Sequence, residues 1–377
     1  MGRLPACPHR PPCPGCPRYG EAGISDEALG DLRRLLGEAG NPHFEIVEGA
    51  HSGYRHRARL MVRGRPASPK VGLFQEGSHR IADIPKCRTH HPLVNRVAAG
   101  LKHAIRRSGV APYADKPHRG DLRSVQIAVE RSSETAQVVL VGNATSSAAL
   151  ETTAAALEAE LGDSLHSLWW NGNPERTNAI LGKHWEHLGG ASAIREEIGG
   201  VDVFFPPGAF GQSHLDLADV LVAKVASWLS QSTSVAEFYA GCGALGLGLL
   251  RGGASVRFNE MNAHGLRGLE LGLAARPADE RRRARIEAGP AAACLGLLAD
   301  AGAVIVDPPR KGLDAELLAA LAATPPARLV YVSCDRATFA RDAKRLLAAG
   351  KMRLSDLAVY TLFPHTHHLE LAARFEA

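Results

Sequence analysis

The sequence predicts an α/β protein in which a C-terminal Rossmann-like domain follows an antiparallel α+β central domain that carries a cysteine cluster. After about residue 200, short apolar runs typical of strands alternate with helical segments, which favours a doubly wound, mostly parallel sheet. Before it, runs of alternating apolar and polar residues are interrupted by only two helical stretches, which favours antiparallel pairing. We therefore expect an N-terminal cysteine-rich segment with a short helix, a central domain and a Rossmann-like domain, at 1–43, 44–199 and 200–377.

Composition excludes several classes of protein. The 377 residues are 45% hydrophobic and 22% charged, which is ordinary for a globular protein with a substantial core. No apolar run approaches the roughly 18 residues that a membrane span needs, and the first residues lack the apolar region of a signal peptide. We therefore expect a cytoplasmic protein with no membrane partner. The formal charge of +5 permits a polyanionic partner without requiring one.

The N-terminal segment combines prolines with clustered cysteines. Its first twenty residues include six prolines, so they cannot form a regular helix, and a helical pattern follows at Asp26–Glu38. The clustered cysteines and their distant partner are Cys7, Cys13, Cys16 and Cys87. In a chain of this kind, such clustering indicates a metal site more often than disulfides. The spacing alone leaves open an iron–sulfur cluster and a structural zinc site, the latter with four cysteines or with His9 as a ligand.

The two larger regions each have their own succession of elements. In the central region we predict strands at 59–63, 71–74 and 125–129, and helices at 93–108 and 147–161. In the C-terminal region we predict helices at 218–229 and 243–251, and strands at 235–239, 255–259, 303–306, 329–332 and 357–362. The Ala- and Arg-rich stretch 274–293 is typical of a solvated helix or loop.

A glycine-rich loop indicates a nucleotide site. Glu237-Phe-Tyr-Ala-Gly-Cys-Gly-Ala-Leu-Gly follows an apolar strand and opens a predicted helix, so that its glycines allow a ligand close approach to the backbone. Glu260 ends the next strand and can accept hydrogen bonds from ribose hydroxyls. The glycine spacing fits NAD as well as S-adenosylmethionine, so it does not distinguish the two.

Three further motifs follow later strands. Asp307-Pro-Pro-Arg-Lys ends an apolar strand at the edge where ligands of open α/β sheets bind. The strand before Cys334 brings this residue to the same edge, where a cysteine is placed either as a nucleophile or as a small buried residue. Phe363-Pro-His-Thr-His-His-Leu-Glu370 ends in an acid. By itself, this last segment could be a metal site or a polar turn.

In their order along the chain, these segments resemble a known family. Gln212 in Phe210-Gly-Gln-Ser-His, the glycine-rich loop, Asp307-Pro-Pro-Arg, Ser333-Cys334-Asp and His368-Leu-Glu370 are similar to motifs of the TrmA/RumA-type RNA (uracil-C5)-methyltransferases. Cys7-x5-Cys13-x2-Cys16 with Cys87 resembles the [4Fe–4S] motif of its ribosomal RNA branch. The compact length and a start directly at the cysteine motif make the RlmC branch, which acts on 23S ribosomal RNA, the most similar. The resemblance spans nearly the whole chain, at the level of motifs in the central region.

The resemblance implies S-adenosylmethionine-dependent formation of 5-methyluridine in RNA, a form of rRNA processing if the substrate is 23S ribosomal RNA. It makes Cys334 the nucleophile that adds to uracil C6 and Glu370 the base that removes the C5 proton. The cofactor contacts that it implies are Gln212, Tyr239, Glu260 and Asp307. It also favours a [4Fe–4S] cluster over zinc for Cys7, Cys13, Cys16 and Cys87, and RNA over DNA as the partner.

The sequence departs from the family pattern at three points. Ala244 stands where the family often has Asn or Gly, and Glu237 stands where the family has Asp. The acid or amide that the family usually has after the next strand has no clear counterpart: the sequence offers only Glu287, to which we assign no role. These departures concern cofactor geometry, and they keep open a catalytically silent RNA-binding factor. Transfer RNA is the alternative substrate. A DNA cytosine enzyme lacks support because Cys334 follows Ser and not Pro, and an adenine-N6 enzyme because Arg310 follows the two prolines.

Overall fold

The computed structural model describes residues 5–21, 23–348 and 350–377, which divide into two compact units. The first unit contains the described residues up to Glu21, Ala50–Glu196 and Gln212–Leu215; the second contains residues 23–49, Glu197–Gly211 and Asp216–Ala377. This division differs from the predicted one. The predicted N-terminal segment is divided after Glu21, and residues 23–49 belong to the second unit because their strand pairs with that unit's sheet.

The first unit is built on a seven-stranded sheet. Its strands are β2 (Arg57–Arg65), β3 (Ser68–Phe74), β4 (Ile81–Asp83), β5 (Leu122–Glu130), β6 (Thr135–Gly142), β7 (Leu165–Gly172) and β8 (His184–Gly190), and its helices are α2 (Pro92–Ser108) and α3 (Glu151–Leu161). The strand order is β4-β3-β2-β5-β6-β7-β8, antiparallel except between β6 and β7. One face of β2, with Leu60 and Val62, packs in a core with apolar residues of α2 and α3. This arrangement agrees with the α+β pattern predicted for the region.

The second unit contains a larger sheet. The strands of this unit, of which all but β10 belong to that sheet, are β1 (His43–Val47), β10 (Val201–Phe205), β11 (Ser234–Phe238), β12 (Ser255–Glu260), β13 (Ala284–Ala288), β14 (Ala303–Val306), β15 (Arg328–Ser333), β16 (Arg353–Tyr360) and β17 (Glu370–Glu376). Strand β9 (Ile194–Ile198) spans the boundary between the units. The helices of this unit are α1 (Asp26–Glu38), α4 (Leu215–Trp228, beginning at the boundary), α5 (Ala263–Ala274), α6 (Ala278–Arg282), α7 (Ala315–Ala323) and α8 (Arg336–Ala348). The sheet order is β1-β16-β17-β15-β14-β11-β12-β13.

The topology of this sheet brings several chain segments to one edge. Strands β11, β12, β14 and β15 are mutually parallel, so their carboxyl ends lie together. Strand β17 is antiparallel to β15, with Ser333 paired to Leu371, so its first residue, Glu370, lies at that same edge. Strands β14 and β15 are apolar runs buried on both faces, as expected for the centre of a parallel sheet.

Two predicted elements were wrong. Residues 243–251 do not form an α-helix: the segment holds only a short 3-10 helix at Leu247–Leu250, since its glycines are poor helix formers and Gly243 has φ +82°. The stretch 274–293 contains α6 and the edge strand β13, which pairs with β12. The alternation of buried and exposed residues along β13 is weak because a strand at the sheet edge buries few side chains. Among the described residues, no helix is long and apolar enough to cross a membrane.

Candidate active site

The carboxyl edge of the second unit's sheet carries the residues that the motifs singled out. Tyr239, Asp307 and Cys334 each come directly after one of three neighbouring parallel strands, β11, β14 and β15. Glu260 ends β12, and Glu370 begins β17. The sheet therefore brings five of the six sequence-predicted catalytic and cofactor residues to one edge.

Cys334 lies between a strand end and the beginning of a helix. Asp335 caps α8, because its Oδ1 accepts hydrogen bonds from the Thr338 N–H at 2.9 Å and the Thr338 hydroxyl at 3.1 Å. Burial raises the pKa of the Cys334 thiol, and the negative charges of Glu370 and Asp307 raise it further. The Arg310 side chain acts in the opposite direction through a hydrogen bond to the sulfur and its positive charge. From the sequence, Arg310 was notable only because it follows the two prolines, and that position was the available signal.

Glu370 is a buried carboxyl beside this thiol. Its exposed fraction is 2%, and burial raises its pKa well above the ordinary value, with Asp307 adding to the shift. Burial likewise raises the pKa of Asp307 to about 7, helped by the charge of Glu260. Such an arrangement offers a nucleophile and a carboxyl of raised basicity at one place, which suits covalent addition followed by proton abstraction.

Glu260 organises the glycine-rich loop. One carboxylate oxygen accepts the Gly241 N–H at 2.7 Å, and the other accepts the N–H groups of Met261 at 2.7 Å and Asn262 at 2.6 Å. A carboxylate has about four acceptor positions, so Glu260 can still accept from a ligand hydroxyl. At Gly241, with φ +56°, an added Cβ would meet nothing within 4 Å, so the loop is open on that side. The loop and Glu260 thus form a cradle that fits the ribose of a nucleoside ligand.

Glu237 lies beneath this loop with an exposed fraction of only 1%. Burial raises its pKa well above the ordinary value, and Asp307 and Glu260 contribute. The backbone of Gly246 acts in the opposite direction through a hydrogen bond to this carboxyl, and a Cβ at Gly246 would lie 2.0 Å from Oε2. Gly246 is therefore required by the close approach of Glu237 to the loop, and this explains a glycine that the sequence pattern associated only with the ligand.

Tyr239 uses its hydroxyl within the protein. It donates to Asp314 Oδ2 at 3.1 Å and accepts the Asp314 N–H at 3.2 Å, directly before α7. Its backbone has φ +60°, which is unusual for a residue with a side chain and fixes the direction in which the ring leaves the strand. The phenol therefore fastens the beginning of α7 to the strand end. The hydroxyl proton is therefore used within the protein.

Gln212 belongs to the first unit, in the irregular segment before α4. Its neighbours are fixed there: Ser213 O accepts the His56 N–H at 2.9 Å, and the ring of His214 stacks on Tyr54 with centroids 4.9 Å apart. Tyr54 and His56, which flank Arg55 in a basic run of the sequence, are buried. Their positions indicate a structural role in holding the segment that contains Gln212.

A groove of about 670 Å³ in the second unit opens beside Cys334. Its walls are α1, the first turns of α8 and the segment 367–369. Basic side chains such as Arg34, Arg341 and Lys344 line it together with acidic residues of α1. Cys334 therefore lines a groove whose volume is in the range of small-molecule sites.

The four N-terminal-motif cysteines lie together in the first unit, as free and partly buried thiols. Burial raises the pKa of Cys16 to about 12, and Cys87, Cys13 and Cys7 each add to this shift. Hydrogen bonds from His90 and Thr89 lower the pKa of Cys87 to about 6, although burial by itself would raise it. The chemistry of these donors fits a thiolate-bound metal group. His9 fits less well as a ligand, because its Nε2 accepts the Lys86 N–H at 3.2 Å.

Within the described ranges, no group of three or more His, Cys, Asp or Glu side chains has the arrangement of a metal site. This covers the histidine-rich turn before Glu370 as well as the cysteines. His365 is buried with φ +70°, whereas His368 is exposed, so these side chains do not share one environment. The turn is therefore better explained as the connection that leads into β17.

The raised pKa of Asp307 predicts a pH-dependent stability. The ordinary pKa is 3.8 and the folded value is about 7, so between these values the unfolded chain has released a proton that the folded chain retains. Stability must therefore fall as pH rises through this window. Because Asp307 keeps some contact with solvent, we expect the free energy of unfolding to fall by about 2 kcal/mol over this pH range. In Asp307→Asn, urea denaturation at pH 4 to 8 should lack this loss, whereas Asp300→Asn, at an exposed site, should retain it. Parallel pH profiles for wild type and Asp307→Asn would contradict the prediction.

Comparison with known proteins agrees with this geometry. A sequence profile described as tRNA (Uracil-5-)-methyltransferase matches residues 298–376, which include Asp307, Cys334 and Glu370. An uncharacterized RNA methyltransferase of Protochlamydia amoebophila is 34% identical, over 98% of this chain and 97% of its own length. The chain belongs to the RNA methyltransferase family. A second RNA methyltransferase, from Gloeobacter violaceus, is 32% identical to this RNA methyltransferase over 98% of this chain and 84% of its own length.

A solved structure extends the comparison to the fold. The tRNA (uracil-54, C5)-methyltransferase of Pyrococcus abyssi, in complex with S-adenosyl-L-homocysteine, matches this family member with a TM-score of 0.77 and 26% identity. The match covers 97% of this chain and 86% of that one. The predicted α/β methyltransferase fold and the predicted enzyme class are thereby confirmed. This RNA methyltransferase is an S-adenosylmethionine-dependent enzyme that modifies RNA.

Proposed function

We propose that this enzyme converts uridine to 5-methyluridine in RNA, with 23S ribosomal RNA as its substrate. The main support for this reaction is that Cys334, Glu370 and Asp307 lie at one sheet edge, where both carboxyls influence the pKa of the thiol. Uracil C5 is a weak nucleophile, and a thiol beside a base is what its activation requires. The comparisons support methylation of RNA, and the residue roles below are our proposal.

Cys334 begins the reaction by covalent addition. Its thiolate sulfur forms a bond to uracil C6, and the electron pair of the C5–C6 double bond moves to give an enolate that is nucleophilic at C5. Arg310 stabilises the thiolate against the opposing effects of burial and of the two carboxylates. When bound, S-adenosylmethionine would supply an electrophilic methyl group: C5 would form its new bond to that carbon while the sulfonium S–CH3 bond breaks and S-adenosylhomocysteine leaves.

Glu370 completes the reaction as the base. Its carboxylate accepts the C5 proton, the electron pair of that C–H bond restores the C5–C6 double bond, and the bond from C6 to Cys334 breaks to return the thiolate. The raised pKa of Glu370 suits this step, because a carboxylate of ordinary acidity would be a weaker base. Asp307 is placed to influence both groups by its charge.

The cofactor contacts of the proposal are Gln212, Tyr239, Glu260 and Asp307. Glu260 has the strongest support, because it already fixes the glycine-rich loop and retains acceptor capacity for ribose hydroxyls. For Tyr239, the hydroxyl proton already binds Asp314, so the proposed contact does not use that donor.

RNA contacts are proposed for basic side chains of the first unit. Arg59 and Arg119 are exposed there, and phosphate contacts by such residues supply much of the affinity for RNA. Arg123 is less available, because its guanidinium donates to the carbonyl of Glu175 at 2.7 Å and lies 4.6 Å from the Tyr113 ring. Transfer RNA is the second candidate substrate, because the Pyrococcus abyssi relative is a transfer RNA enzyme.

The cysteines Cys7, Cys13, Cys16 and Cys87 are proposed to hold a [4Fe–4S] cluster, with zinc as the alternative. The influence of Cys7, Cys13 and Cys87 on the pKa of Cys16 supports a shared site, and the lowered pKa of Cys87 favours a thiolate at that position. When bound, such a group would cross-link the N-terminal segment to the loop that contains Cys87.

Metal analysis of protein purified without oxygen tests this assignment. We expect about four iron and four sulfide per chain, and loss of both in Cys87→Ala, because the fourth thiolate ligand is then missing. Cys294→Ala, which changes a buried thiol of the second unit, should retain full iron. One zinc per chain in place of iron would select the alternative, and a metal-free, folded protein would contradict both.

The substrate is tested by methyl transfer from labelled S-adenosylmethionine to unmodified 23S ribosomal RNA and to unmodified transfer RNA, followed by nucleoside analysis. We expect label in 5-methyluridine from 23S ribosomal RNA. Label in transfer RNA alone would select the second candidate. Transfer to neither RNA, by protein with its metal site filled, would leave the silent RNA-binding factor and overturn the proposal.

A further inference from the structure

Asp342 is a buried carboxylate that the proposed reaction does not use. It lies on α8 with an exposed fraction of 0% and accepts three hydrogen bonds. Its Oδ2 accepts the Leu313 N–H at 2.9 Å and the Tyr331 hydroxyl at 2.8 Å, and its Oδ1 accepts Arg341 Nε at 2.8 Å. A buried carboxylate with this many donors is costly to disturb, so it fixes whatever carries the donors.

Two of these donors come from the segments that carry the proposed chemistry. Tyr331 lies on β15, three residues before Cys334, and its ring is packed edge-on against Phe339 of α8 at 5.3 Å. Leu313 lies in the loop that follows Asp307-Pro-Pro-Arg310. One side chain of α8 therefore joins the strand that ends at the nucleophile to the loop that begins at Arg310.

The loop approaches α8 so closely that it leaves no space for a side chain. Gly312 has φ +81°, and an added Cβ would lie 2.5 Å from both Asp342 Oδ2 and Arg341 Nη2. Arg341 Nη2 also donates to Lys311 O at 2.9 Å. Residues 341 and 342 thus hold three successive residues of the loop, 311–313, directly after the arginine that contacts Cys334.

We propose that Asp342 is a positioning residue for methyl transfer: by binding the 311–313 loop and Tyr331 together, it sets the Arg310 guanidinium against the Cys334 sulfur. This inference rests on the proposed roles of Cys334 and Arg310. Loosening the loop withdraws the cation from a thiol that two carboxylates face, Glu370 and Asp307. The thiolate is then less populated and the addition step slower, while the glycine-rich cradle keeps its own contacts with Glu260.

The test compares Asp342→Asn with Arg310→Gln. The rate at which iodoacetamide alkylates Cys334 at pH 8 is followed by mass spectrometry of the peptide that contains it, since only the thiolate reacts. We expect both variants to react about tenfold more slowly than wild type, and the double variant to react no more slowly than Arg310→Gln alone. Turnover should fall by a similar factor, whereas KM for S-adenosylmethionine should change less than about twofold.

Two further variants keep the test decisive. Tyr331→Phe removes one donor to Asp342 but keeps the ring, so it should give a smaller effect in the same direction even if Asp342→Asn folds poorly. Glu280→Gln alters another buried, ion-paired carboxylate of the second unit and should leave the alkylation rate unchanged. An unchanged rate in folded Asp342→Asn or Tyr331→Phe, or additive losses in the double variant, would overturn the positioning role. If Arg310→Gln alone leaves the rate unchanged, the proposed role of Arg310 fails instead.

Discussion

Replacing Cys334 with alanine is expected to reduce methyl transfer to RNA by at least about a thousandfold, because the variant lacks the sulfur that we propose adds to C6. Binding of S-adenosylhomocysteine should stay within about twofold of wild type, since the cradle formed by Glu260 and the glycine-rich loop does not involve the thiol. The measurement is initial rate with labelled cofactor, paired with calorimetric titration of S-adenosylhomocysteine.

A matched control distinguishes loss of the nucleophile from loss of packing. Cys294 is a buried cysteine of the same unit, in the core cluster that contains β14 and β15, and Cys294→Ala should keep most of the activity. If Cys334→Ala retained turnover close to that of Cys294→Ala, covalent addition by Cys334 would be excluded.

Replacing Glu370 with glutamine is expected to trap the RNA on the enzyme. Glutamine preserves the size of the side chain but cannot accept the C5 proton, so elimination stops after the methyl group has been transferred. A protein–RNA adduct that survives denaturation should accumulate, with at most about one methyl group transferred per chain. Electrophoresis under denaturing conditions, with label in either the RNA or the methyl group, detects it.

The double variant Cys334→Ala with Glu370→Gln is the control for this adduct. It lacks the sulfur that forms the covalent bond, so no stable complex should remain after denaturation. Normal multiple turnover by Glu370→Gln would show that another group removes the proton. Asp307 would then be the next residue to examine, because its pKa is raised to about 7 and its charge reaches both Glu370 and Cys334.

Apolar periodicity predicted most of the fold. The helix at Asp26–Glu38 and the strand at 303–306 have the predicted bounds, because buried elements carry a strong hydrophobic pattern. The strand at Ala284–Ala288 was missed because it lies at the sheet edge, where few side chains are buried. The domain boundaries differed for a related reason: local periodicity contains no information on which distant strand His43–Val47 pairs with.

The candidate site shows the same division between local and long-range information. Motifs at strand ends identified Asp307, Cys334 and Glu370 as candidates, since parallel strands share an edge. The importance of Asp342 could not be read from sequence, because an aspartate in a helix is ordinarily exposed and only the packing of α8 buries it. For Tyr239, likewise, only the fold reveals that its hydroxyl is bonded to Asp314.

The pairing of β1 with β16 has a consequence for how the polypeptide matures. His43 pairs with Asp356, more than three hundred positions later, so the intervening chain must be synthesised before this edge of the sheet can close. A fragment that begins near residue 200 would therefore expose the free edge of β16, where Leu357 and Val359 are now fully buried. Such a fragment should self-associate, and supplying residues 23–49 in trans should suppress this. The second unit is thus formed by three separate segments of the chain, so a single cleavage of the polypeptide cannot release it.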